Sequence, residues 1–135
     1  MDTKPALASS LVEEFVRVAH SDLERTQELL EQESGLANAS WDWGGGDFES
    51  ALGAAAHMGR KDIANYLLDN GARLDLFAAT MLGKYEIVKS TLDSYPATIH
   101  IPGPHNISLL EHAKFGGEDA NAVFGLLQSL LQKQS

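Results

Sequence analysis

The chain has 135 residues, 44% of them hydrophobic, no cysteine, and a formal net charge of -9. Disulfides and thiolate metal sites are excluded, and the negative surplus repels nucleic-acid phosphates and anionic lipid. No apolar run approaches the roughly 20 residues that span a bilayer. The first ten residues carry no basic stretch followed by an apolar one. The expectation is a cytoplasmic domain with neither a nucleic-acid nor a membrane partner.

In chain order, residues 1–10 read as an N-terminal tail. Ser10 with Glu13 and Ser21 with Glu24 then fit the capping box, in which a serine oxygen takes an orphan backbone N–H and the glutamate answers back. Leu23, Thr26, Leu29 and Leu30 fall at helical spacing. Residues 40–48 hold Trp41, Trp43, Gly44-Gly45-Gly46 and Phe48, and their glycines forbid helix. A short helix, a turn at Gly59 and a second helix with Ile63, Tyr66, Leu67 and Leu68 on one face follow. The same order returns around Gly83, with Glu86 three residues on. Residues 96–106 form a second long connection, broken by proline and glycine. Ser108 with Glu111 marks the start of one more helix.

The elements repeat. Residues 52–68 read L-G-A-A-A-H-M-G-R-K-D-I-A-N-Y-L-L, and Ala79, Gly83, Glu86-Ile87-Val88 and Leu92 echo that skeleton. Ala19, Ser21, Leu23-Glu24 and Leu29-Leu30 on one side, and Leu109-Leu110, Ala113, Gly116 and Leu126-Leu127 on the other, echo it again. A unit of this length signals a stack, since one helix pair cannot bury both of its faces alone. The expected class is all-α, with four units over residues 11–39, 40–73, 74–97 and 98–135.

These residues resemble the ankyrin repeat family, and the small bacterial members in particular. Ser50-Ala51-Leu52-Gly53-Ala54-Ala55-Ala56 takes the place of the inner helix, Gly59 the turn, and Leu67-Leu68-Asp69-Asn70-Gly71-Ala72 the end of the outer helix. The family's Thr-Pro-Leu-His signature is nowhere intact. Gly59 and Gly83 stand 24 positions apart, against a family period of about 33. The third unit has therefore lost its β-turn finger. The finger before the second unit is enlarged, and a notch is expected between the two. The resemblance implies binding by fingers and inner helices.

Several residues bear on function. Trp41 and Trp43 on a glycine-rich protrusion suit interface anchors, or they fold back on the core. Gly44-Gly45-Gly46 is no phosphate cradle, because Asp47 stands where a P-loop needs lysine. Asp42, Asp47 and Glu49 offer acid–base carboxylates or a solvated acidic loop. Of five histidines, His100, His105 and His112 lie closest in sequence, at a spacing that fits no standard zinc signature. The expectation is no metal and no cofactor: surface or capping histidines come first, and a ligand contact by His57 or His112 second. Met58, Met81, Leu82, Lys114 and Phe115 precede turn glycines, positions that the resemblance places on the concave face. The apolar ones suggest a soft binding patch.

Two functions follow as expectations. One is a non-enzymatic protein-binding module using the concave face and the tryptophan finger, with Asp47 and Glu49 beside it. The other is a small-molecule site, with room for catalysis, in the notch between the finger at 40–49 and the shortened third unit, lined by Trp41, Trp43, Asp47, His57 and Met81. No catalytic residue is assigned in either.

Overall fold

The computed structural model describes residues 4–133; residues 1–3 of the expected tail and residues 134–135 of the fourth unit lie outside the described residues. Eight α-helices come in pairs: α1 Ser9–Val18 with α2 Leu23–Gln32, α3 Ala51–His57 with α4 Lys61–Asp69, α5 Leu76–Met81 with α6 Tyr85–Ser94, and α7 Leu109–Phe115 with α8 Asn121–Lys133. The described chain is mostly helical, as the sequence led one to expect. None of its helices is long and apolar enough to cross a membrane.

Each pair packs on itself, and α3 lies against α1, α5 and α7, while α5 lies against α7. Small residues make this close approach possible. Ala51, Ala54, Ala55, Ala56, Ala78, Ala79 and Ala113 are all buried, so the helix backbones meet with little side chain between them. The apolar core falls into two clusters. The first gathers Phe15, Leu29, Leu52, Ile63, Leu67 and Met81; the second gathers Val88, Leu92, Leu109, Val123 and Leu127.

The helix starts differ partly from expectation. Ser108 does cap α7, accepting from the Glu111 N–H. Ser10 lies inside α1, which begins after Ala8 with no side-chain cap, and Asp22 rather than Ser21 caps α2. Ser50 and Asp75 cap α3 and α5. Aspartate and serine compete for the same orphan donors, and whichever adopts extended backbone at the boundary takes them.

Two short antiparallel strands, β1 Ser40–Asp42 and β2 Phe48–Ser50, form a hairpin before α3. Among the described residues, 70–75 carry no strand and run from α4 straight into α5. At Gly83, with φ +74, any Cβ would strike the carbonyl of Asp119, so the turn between α5 and α6 needs glycine on two counts.

Candidate metal centre

The finger is built around one glutamate. Strand alternation in β2 points Phe48 outward, 61% exposed, and Glu49 inward, fully buried. Its carboxylate meets side chains from three other segments. His57, the last residue of α3, places Nε2 2.9 Å from Glu49 Oε2. His20, just beyond the end of α1, places Nε2 3.2 Å from Glu49 Oε1. His105, in the turn Pro104–Asn106, places Nε2 3.2 Å from Glu49 Oε2. The His57 ring lies 5.0 Å from that of His20 and 5.2 Å from that of His105.

The outer nitrogens of two rings are committed. His20 Nδ1 lies 3.0 Å from the carbonyls of both Val16 and Arg17, in the last turn of α1. A carbonyl only accepts, so Nδ1 carries the hydrogen. His105 donates its Nδ1–H to Asp47 Oδ2 at 2.7 Å, and its backbone N–H to Asp47 Oδ1 at 2.8 Å. Those two bonds hold His105 in left-handed backbone, φ +59. In neutral His20 and His105, Nε2 is therefore a bare lone pair aimed at a carboxylate.

Lone pairs aimed at an anion repel unless a proton or a metal ion lies among them. Glu49 Oε2 and His57 Nε2 are buried and make no hydrogen bond, although they stand 2.9 Å apart. They are close but misaligned, as donors are when they converge on a common point. The four donor atoms lie within 4.8 Å of one another. Donors 2.0–2.1 Å from a tetrahedral ion stand about 3.3–3.4 Å apart, so the cluster is of ion size. Burial alone would push the Glu49 carboxyl up; the His20 and His57 imidazoles outweigh that and hold it far below the carboxylate range. Glu49 in turn pushes the His20 imidazole up, and the His105 backbone N–H leads in lowering Asp47.

Trp43 donates its indole N–H to Glu49 Oε1 at 2.9 Å. Asp42 Oδ1 accepts from the N–H groups of Gly44 and Gly46, shaping the glycine bend and occupying donors that a phosphate would use.

The expected notch is largely filled. With no finger on the third unit, the 103–106 turn reaches the finger of the second unit, and Pro104 packs against Gly53. Of the expected site residues, Trp43, Asp47, Glu49 and His57 come together here. Trp41 is half-buried and packs on the first core cluster, as does Leu82. Met58, Lys114 and Phe115 are exposed. Met81 is a correction. It is fully buried in the first cluster, because α5 is short and wedged between α3 and α7. Of the histidine trio closest in sequence, only His105 joins the cluster; His112 is buried against Phe77.

Local spacing did not reveal His20, Glu49 and His105 as partners of His57. The one available signal was the repeat alignment, which puts His20 and His57 at equivalent helix ends and thus on the same side of the stack. Comparison with known proteins finds no matching family model, no matching curated protein and no matching solved structure.

Proposed function

We propose that this chain is an ankyrin-like stack of four helix pairs whose enlarged finger holds a divalent transition-metal ion. His20, Glu49, His57 and His105 are its ligands. The observation that carries the reading is the convergence of three imidazole Nε2 atoms on one buried carboxylate, with Nδ1 of two rings already committed as a donor. Three nitrogens and one oxygen, without thiolate, suit zinc and its first-row neighbours rather than calcium or copper(I). Asp47 behind His105 and the carbonyls behind His20 are the outer partners that fix ligand tautomers in metal sites. This replaces the expectation of no metal, which rested on local spacing.

The test is zinc titration of the metal-stripped protein beside His57→Ala and Glu49→Gln. One equivalent bound by the parent, with affinity lost in both variants, supports the centre. Equal binding by all three, or none by the parent, rejects it.

A protein-binding concave face is the second reading. The exposure of Met58 and Phe115, at 49% and 40%, favours it. Capture of a defined partner that Met58→Ala abolishes would support it; capture unaffected by Met58→Ala and Phe115→Ala would end it.

A further inference from the structure

We infer that Trp43 is a positioning residue of the metal centre: its indole N–H holds one oxygen of Glu49 and leaves the other as the single oxygen ligand, so that the site takes four-coordinate ions in preference to six-coordinate ones. This rests on the metal reading and names the class of ion that the site selects.

The register of the finger puts the indole there. Trp41 stands opposite Glu49 across the hairpin. The Trp43 backbone N–H bonds the Asp47 carbonyl at 3.0 Å and carries the ladder one step beyond β1. Side chains alternate between the faces of a strand, so Trp43, Asp47 and Glu49 share one face, with Trp43 diagonal to Glu49 and within reach of it. The bend that follows is pinned by Asp42, which accepts from the N–H groups of Gly44 and Gly46. The Trp43 ring lies 6.2 Å from that of His20 and 6.3 Å from that of His105, so it stands beside two of the three imidazoles.

Both oxygens of Glu49 face imidazoles. Oε1 lies 3.2 Å from His20 Nε2; Oε2 lies 2.9 Å from His57 Nε2 and 3.2 Å from His105 Nε2. A carboxylate so placed can close on an ion with one oxygen or with both, and the indole decides between them. It donates to Oε1 at 2.9 Å, a charge-assisted bond to an enclosed anion. Oε2 is buried and makes no hydrogen bond. Density drawn toward the indole makes Oε1 the poorer donor and leaves Oε2 as the ligand. Three imidazole nitrogens and one oxygen complete the tetrahedral set that zinc prefers. Manganese(II) prefers six ligands, mostly oxygen. Solvent does not reach Oε2 or His57 Nε2, so water does not make up that number there. A Glu49 free to use both oxygens would raise the count to five.

Cobalt(II) reports coordination number in its visible spectrum. One equivalent added to the metal-stripped parent should give the intense absorption of a four-coordinate ion. Trp43→Phe keeps a ring beside His20 and His105 and removes the N–H. Its cobalt spectrum should move to the weaker five-coordinate form. Its preference for zinc over manganese(II), from competition titrations, should fall at least about tenfold. A merely structural tryptophan would instead weaken both ions alike. A five- or six-coordinate spectrum in the parent overturns the inference and leaves the centre standing, whether or not the variant folds. So does an unchanged cobalt spectrum in Trp43→Phe, or an unchanged zinc-to-manganese ratio, even where both affinities fall together. No cobalt bound by the parent overturns the centre itself, and this inference with it.

Discussion

Asp47 grips His105 twice, taking the backbone N–H on Oδ1 at 2.8 Å and the ring Nδ1–H on Oδ2 at 2.7 Å, from a segment 58 positions away. The pair fixes both where His105 sits and which ring nitrogen bears the hydrogen. Asp47→Asn can present an N–H to Nδ1, which favours the other tautomer and puts the hydrogen on Nε2, where a metal would bind. Zinc affinity should fall about 10–100-fold, with the helical circular-dichroism spectrum unchanged. Undiminished affinity would mean that His105 is no ligand.

Metal should also stabilise the fold, because its ligands come from separate parts of the chain. His20, Glu49 and His57 flank the first core cluster, while His105 sits on the loop that leads into α7 and the second. An ion held there would clip the two halves together. Zinc at about 100 times its dissociation constant should add about 2.7 kcal/mol, a rise of roughly 5–15 °C in melting temperature. Chelator should reverse it and Glu49→Gln should show none. A parent melting curve indifferent to stoichiometric zinc would show that the ion does not bind the folded state preferentially.

Much of the helical layout was legible in the sequence. Alanine-rich inner segments, turn glycines and leucine faces recur along the chain, and each is a local signal. The short connection at 70–75 could be read from the distance between Gly59 and Gly83. The cluster could not be read, because its members are joined only by the packing of the stack. Glu49 read as one of three finger carboxylates, suited to binding or acid–base work or to a solvated loop, with nothing to say that it is buried. Only the two-residue alternation of β2, in a strand too short to announce itself, turns it inward. Met81 was misplaced for a related reason: the repeat pattern assigns it a concave position, but the six-residue α5 is packed against α3, α6 and α7, and Met81 is enclosed there.

That correction separates methionines that look alike in sequence. Met58 is 49% exposed and Met81 fully buried. Met58→Ala should cost no more than about 0.5 kcal/mol, while Met81→Ala and Leu67→Ala should cost roughly 2–5 kcal/mol. Trp43→Ala does not belong with Met58. It strips a donor from the enclosed Glu49 carboxylate, at a cost of about 1–3 kcal/mol. Chemical denaturation measures all four, and a Met58→Ala cost equal to that of Leu67→Ala would place Met58 in the core.

His112 makes the fold acid-sensitive independently of the metal. It is fully buried on α7, donates Nδ1–H to the Ser108 carbonyl at 2.8 Å, and leaves Nε2 unpartnered beside Phe77. Burial lowers its pKa below the ordinary 6.5 and outweighs the bond to the Ser108 carbonyl, which raises it; the nearby His57 adds to the fall, and Asp75 and Glu111 oppose it. Below pH 6.5 the unfolded chain takes up a proton that the folded chain resists. The contribution of His112 is therefore complete above that pH and is lost as pH falls through the folded-state value. His112→Leu removes this titration while keeping an apolar side chain in the space. Melting temperatures of the two proteins, measured in chelator so that the metal ligands titrate alike in both, should differ by an amount that shifts against the parent between pH 7.5 and pH 5. A difference that stays constant across that range would show that His112 does not resist protonation in the folded state.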